Sequence, residues 1–190
     1  ESPRAPEIVF ELGIPVLGIC YGMQTMAQQF GGKVATSNLS EFGYARIEVV
    51  EGGDLLHNLK DDIDENGRPQ LDVWMSHGDR VSSLPDQFQL IASTPSAPIT
   101  AMAHNDKPIY ALQFHPEVTH TKEGNTVLEN FVFKICHCKA QWKIEDLIEQ
   151  RILAIKERVG YNKVLLGLSG AVDSSDTAML KDKAIGKKLI

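Results

Sequence analysis

The chain has 190 residues, 43% hydrophobic and 23% charged, with a formal net charge of −6 at pH 7. This is the balance of a soluble globular protein with room for one full domain and a remainder; it excludes a nucleic-acid-binding surface as the main business, and no apolar stretch approaches the length a bilayer requires. Three cysteines read as reduced thiols of a cytoplasmic protein, and the ends, "ESPRAP" without an initiator methionine and "AIGKKLI", read as those of a piece of a longer chain.

In chain order, "APEIVFELG" spaces Ile8, Val9 and Leu12 helically and stops at Gly13. "IPVLGIC" is a nearly continuous apolar run, which predicts a strand buried on both faces of a parallel sheet. "MQTMAQQFGG" returns to helical spacing through Met23, Met26, Ala27 and Phe30, so Cys20 falls between a strand and a helix. "YARIEVV" and "LDVWMSHGD" read as strands on either side of the polar excursion "NLKDDIDENGRPQ", and "FQLIAST", "TAMAH" and "IYALQFHPE" as three more. "KEGNTVLENFVFKICHC" predicts a helix burying Val127, Leu128, Phe131, Val132 and Ile135. A second helix from Lys143 to Val159 carries Ile144, Leu147, Ile148, Ile152 and Ile155. "NKVLLGLSGAVDSS" then predicts a new buried strand running into a small-residue loop. The pattern is α/β, a mixed and largely parallel sheet flanked by helices. A first domain covers 1–138, a connecting helix 139–160, and the start of a second α/β domain 161–190.

A nucleophile on a tight strand-to-helix turn stands clear of the backbone, with the next N–H and the helix N-terminus facing the same space. In "GICYGMQ" the glycines at 18 and 22 leave that turn free of side chains, and the helix dipole lowers the thiol pKa. A cysteine taken alone reads equally as a small core residue at a strand end. "QFHPEV" shifts that balance: His115 follows an apolar strand, with Glu117 two residues on, and a thiol nucleophile needs a base and the base a carboxylate to orient it.

These residues, with "EFGYA", "SHGD" and "QFHPEVTHT", resemble a class I glutamine amidotransferase domain of flavodoxin-like fold over residues 1 to about 138. "LGLSGAVDSS" stands where one branch of that family begins an ATP pyrophosphatase domain, usually marked S-G-G-x-D-S. The resemblance implies that Cys20 attacks the side-chain amide of L-glutamine to form a γ-glutamyl thioester, that His115 moves the protons, and that Glu117 orients the imidazole. It implies Tyr21 N–H as an oxyanion donor and Gln24, Ser76, His77, Gly78 and Asp79 as substrate contacts, His77 reading equally as a structural histidine. It also implies that the family's first strands and its S-G-G-P turn, the source of a second oxyanion N–H, precede residue 1, which would leave the piece a poor glutaminase.

No cofactor is implied for glutamine hydrolysis. In the parent protein, ATP and Mg2+ would be held at Ser169, Gly170, Ala171, Val172, Asp173, Ser174 and Ser175, and ammonia would aminate XMP to GMP in what the family suggests is a homodimer. Ala171 replaces the motif's second glycine, and a methyl group would strain or obstruct the loop if that position has positive φ, so ATP binding is not assigned to this piece. Two other readings remain open: a catalytically impaired glutamine-binding or partner-binding module, and another γ-glutamyl cysteine hydrolase. Cys136, His137 and Cys138 cannot converge on one ion and read as incidental thiols at a helix end, with no metal site. His57 and His104 read as surface residues, His120 as exposed or bonded within its loop, and Trp74 and Trp142 as core or interdomain packing.

Overall fold

The computed structural model describes residues 2–141 and 144–190, which divide into two compact units, Glu1–Cys138 and Lys139–Ile190. Trp142 and Lys143, together with the side chain of Ile144, lie outside the described residues, so the packing expected of Trp142 and a helix start at Lys143 are not addressed by it. None of the described helices is long and apolar enough to cross a membrane.

In the first unit the elements run α1 (Ile8–Glu11), β1 (Val16–Ile19), α2 (Tyr21–Gln29), β2 (Lys33–Val49), β3 (Asp62–Ile63), β4 (Pro69–Ser83), β5 (Phe88–Ser93), β6 (Ala101–His104), β7 (Ile109–Leu112) and α3 (Gly124–Glu129). The last of these continues as a π-helical segment, Asn130–Ile135. The seven strands form one mixed sheet in the order β1-β7-β6-β5-β2-β4-β3. Pairing departs from the largely parallel expectation: among the described strands only β1 and β7 run parallel, and the other neighbours are antiparallel. The reason is connection length. β5, β6 and β7 are joined by short Ser-, Pro- and Asn-containing turns, which allow only a reversal, whereas the long path from β1 to β7 permits a parallel return.

Side-chain parity divides the core into two layers. Along β7, Ile109 and Ala111 join a cluster with Met23, Met26 and Phe10 under α1 and α2, while Tyr110 and Leu112 join Ile47, Met75, Phe114 and Val127 under α3. The short helices differ from their predicted faces. In α1, Phe10 is the buried residue while Ile8 and Leu12 are exposed, and in the α3 segment Val127, Asn130 and Ile135 point inward while Val132 is exposed. The π-helical turn explains the second difference, because its wider spacing shifts the inward stripe. β1 is half-buried, not sealed on both faces, and stands at the end of the sheet order with β7 as its neighbour.

In the second unit α4 (Ile144–Val159) and α5 (Val172–Ile185) pack against each other, and a 3-10 turn covers Gly186–Lys188. The buried strand expected at 163–168 is not formed. Val164 makes a single parallel bridge to Leu189, and Leu165 and Leu168 are exposed. An apolar run becomes a buried strand only where neighbouring strands and helices cover it, and a single bridge does not.

Candidate active site

The parallel pairing of β1 with β7 sets Ile19 beside Leu112 and carries both chains off the same edge of the sheet. The Cys20 N–H donates to the Leu112 carbonyl at 2.7 Å, and α2 begins at the next residue. Cys20 therefore takes φ +52° and ψ −106°, a conformation that a non-glycine residue holds only when its surroundings impose it. What imposes it is a close approach at Gly18, where a Cβ would lie 2.9 Å from the Gly22 carbonyl carbon and 3.0 Å from the Met26 methyl. Gly22 differs from its expected role: a Cβ there meets nothing within 4 Å, so its part is to be approached by Gly18.

The second strand end is held as firmly. His115 N–H donates to the Trp74 carbonyl at 3.0 Å, Trp74 N–H donates to the Thr121 hydroxyl at 3.1 Å, and that hydroxyl donates to the His115 carbonyl at 2.6 Å. Behind the turn Gly124 packs so tightly that a Cβ would fall 2.1 Å from the Pro116 carbonyl oxygen. His115 Nδ1 lies 2.6 Å from Glu117 Oε1, a geometry that puts the proton on Nδ1 and leaves Nε2 as the free lone pair. Glu117 is half exposed and His115 less so.

The sulfur of Cys20 is bonded to neither of them. Its thiol donates to the Ser76 carbonyl at 3.6 Å and accepts from the Gln113 amide at 3.8 Å. The expected lowering of the thiol pKa is reversed: burial pushes the Cys20 thiol up, the Tyr21 N–H pulls it down, and the Glu117 carboxylate adds to the rise. Desolvation of the thiolate outweighs the one backbone N–H that favours it.

The other expected residues fall into place unevenly. Tyr21 N–H lies close enough to the sulfur to favour its thiolate, and the Tyr21 hydroxyl donates to the Pro3 carbonyl at 2.7 Å. Gln24 is buried, and its amide nitrogen donates to the Asp79 carbonyl at 2.8 Å and to Gln113 at 3.4 Å, so that end of the side chain braces the site from within. Ser76, His77, Gly78 and Asp79 lie in the middle of β4, as the strand reading of that segment expects, with Ser76, His77 and Asp79 in register with β2. Ser76 offers its backbone to the sulfur. His77 is buried, with Nε2 3.1 Å from Glu41 Oε2 but off the line of a hydrogen bond, and Nδ1 without a partner among the described residues.

One further residue differs from its expected setting. His104 is half-buried between Phe30 and Phe88, its Nδ1 accepts from the Asp106 and Lys107 N–H groups, and burial holds its pKa below the ordinary value. His120 stacks on Trp74 at 4.4 Å between ring centres. Next to it a knot invisible in the sequence ties β4 to the His115 turn: Asp72 accepts from Tyr44 at 2.6 Å, Arg46 at 2.8 Å and Lys122. Burial opposes ionisation of Asp72, but these three donors prevail and hold its carboxyl well below the usual range.

In the second unit Gly170 takes φ +83°, whereas Ala171 sits at φ −75° and ψ 161°, so the alanine that replaces the motif's glycine is not strained. The Ser174 and Ser175 hydroxyls donate to the Ala171 carbonyl, and Ser169 donates to Ser174. The loop's hydroxyls are thus bonded within the loop itself, and Asp173 lies in the first turn of α5. Cys136, His137 and Cys138 close the first unit, His137 at φ +53°.

A family model for class-I glutamine amidotransferases matches residues 1–135. GMP synthase [glutamine-hydrolyzing] of Tolumonas auensis is 57% identical over 189 residues, which is 100% of this chain and 36% of the relative; the enzyme of the same name from Escherichia coli is 55% identical over 188 residues, again 36% of its length. The chain thus spans about a third of the length of the curated relatives it matches. Among solved structures, a Thermoplasma acidophilum protein provisionally named as part of a GMP synthase is 34% identical with a TM-score of 0.62, covering 69% of this chain and 61% of that one. A glutamine amidotransferase of Thermotoga maritima, 19% identical with a TM-score of 0.51 over 96% of this chain and 65% of that one, shares the fold.

Proposed function

Because the chain belongs to the class-I glutamine amidotransferase family, we propose that it hydrolyses the side-chain amide of glutamine through Cys20, His115 and Glu117, as the ammonia-releasing part of a GMP synthase. The observation that carries the reading is the convergence of two neighbouring strand ends, one delivering a backbone-strained cysteine and the other a histidine already bonded to a carboxylate.

The chemistry follows from those groups. Cys20 gives its proton to His115 Nε2 and leaves the Ser76 carbonyl; the sulfur attacks the amide carbon, and the carbonyl oxygen gains negative charge beside the Tyr21 N–H. His115 returns the proton to the nitrogen, the C–N bond breaks, and ammonia departs from a γ-glutamyl thioester. Water, deprotonated by the same imidazole, attacks the thioester carbon and frees glutamate and the thiol. Glu117 fixes the tautomer and supports the imidazolium. The raised thiol pKa supports a resting neutral thiol that ionises when substrate enters. For the longer protein we propose that ammonia aminates XMP to GMP with ATP.

Ammonia release from glutamine tests the reading, measured on the chain and on a polypeptide extended to its relatives' length. Loss of release in both Cys20→Ala and His115→Ala, with folding retained, is the predicted result. Release that survives Cys20→Ala overturns it.

A further inference from the structure

Gln113 is fully buried two residues before His115, and the parity of β7 puts it on the α2 face, where Cys20 and Gln24 lie. A buried amide without partners costs stability, so its two ends have to be accounted for. The direction in which this one points is fixed by its neighbours. The Asp79 main-chain carbonyl can only accept, so Gln24 must turn its Nε2 toward Asp79, at 2.8 Å. That same nitrogen lies 3.4 Å from Gln113, which must therefore present Oε1 to it and aim Nε2 at Cys20, 3.8 Å from the sulfur. Flipping Gln113 would set two donors against each other and turn an oxygen lone pair toward the thiolate.

We propose that Gln113 is a side-chain donor to the nucleophilic sulfur and that Gln24 locks it in that orientation, so that the thiolate keeps a hydrogen bond when its proton passes to His115. The proposal rests on the reading of Cys20 as the nucleophile. Of the sulfur's contacts, the Ser76 carbonyl serves only the protonated thiol. The Tyr21 N–H and the Gln113 amide serve the thiolate, and only the second survives if the Tyr21 N–H turns to the substrate's carbonyl oxygen before the attack. Sulfur would then hold charge in a desolvated site with one donor left to it, which is the moment at which Gln113 acts.

The test is the rate of Cys20 alkylation by iodoacetamide as a function of pH, followed by mass spectrometry of the Cys20 peptide, which reports the thiolate whether or not the protein turns over. Gln113→Met preserves size and removes the donor; its half-maximal pH moves up by about one unit, as expected for loss of one hydrogen bond to a charged group. Gln24→Met releases the lock, and a smaller upward shift is expected. With glutamine as substrate, Gln113→Met lowers kcat and leaves KM near its original value. An unchanged alkylation profile in folded Gln113→Met overturns the proposal; if that variant does not fold, an unchanged profile in Gln24→Met overturns it. Failure of the underlying reading is seen separately, as glutaminase activity that persists in Cys20→Ala.

Discussion

Two turns in this chain lead an apolar run through small residues into a helix, and they have opposite fates. At Gly18-Ile19-Cys20 the run is a strand paired with β7, the backbone is forced to positive φ at a side chain that bears chemistry, and polar groups from β4, β7 and α2 converge on that side chain. At Ser169-Gly170-Ala171 the run is exposed, positive φ falls on a glycine, and the hydroxyls bond back to their own turn. A helix N-terminus and small residues are common to both. What separates them is the sheet, which pairs the first run in register with β7 and leaves only an isolated bridge near the second. A strained nucleophile is kept in place by packing around it, at a cost on the order of 1–3 kcal/mol.

The sharpest way to break the comparison is to crowd the first site's supports. Gly124→Ala drives a methyl group into the Pro116 carbonyl, and Gly18→Ala drives one into the Gly22 backbone; each destabilises the fold by about 3 kcal/mol and abolishes glutaminase activity, read as the urea midpoint and ammonia release. Gly22→Ala, one turn along, meets open space and leaves the midpoint unchanged or slightly raised.

Next in size is the Asp72 knot. Asp72→Asn lowers the melting temperature by about 5 °C at pH 7, because three donors lose a carboxylate that is only 4% exposed. The folded carboxyl is held below its unfolded value, so its stabilisation is complete above about pH 4 and is lost as the pH falls further. The gap between wild type and variant closes in acid, and a gap that persists at low pH contradicts this account of the knot.

The first turn shows how much of the site could be read from residues alone. Cys20, His115 and Glu117 were legible because each sits at a fixed offset from a strand end and a glycine or proline, all local signals. Gln113, Thr121 and Asp72 are not, since their roles come from partners 93, 47 and 26–50 residues away whose meeting depends on strand order. The thiol's pKa escapes a sequence reading for the same reason: the helix N-terminus is local, whereas the burial that raises the pKa and the Glu117 carboxylate that adds to it come from the fold. The apolar run 163–168 was legible as apolar, but whether it is covered depends on neighbours that composition does not encode. The antiparallel bias was written in the short turns between β5, β6 and β7, a signal outweighed by the apolar strand at the start.

Two smaller effects refine the contrast. Ala171→Gly at the second turn shifts stability by no more than about 0.5 kcal/mol, since the backbone there is already relaxed; a larger gain in a urea melt would show hidden strain. His104, buried neutral between two phenylalanines, has a folded pKa below its unfolded value near 6.5. Its stabilisation is therefore present above that value and lost as the pH drops through it, a component of the acid loss in melting temperature that disappears in His104→Gln.

The central claim is that the strained cysteine is the nucleophile. The direct measurement is acid quenching of the protein during glutamine turnover, followed by peptide mass spectrometry for a γ-glutamyl group. The account predicts that group on Cys20, absent in Cys20→Ala. Steady ammonia release with no adduct on Cys20, or with one on Cys136 or Cys138, contradicts it.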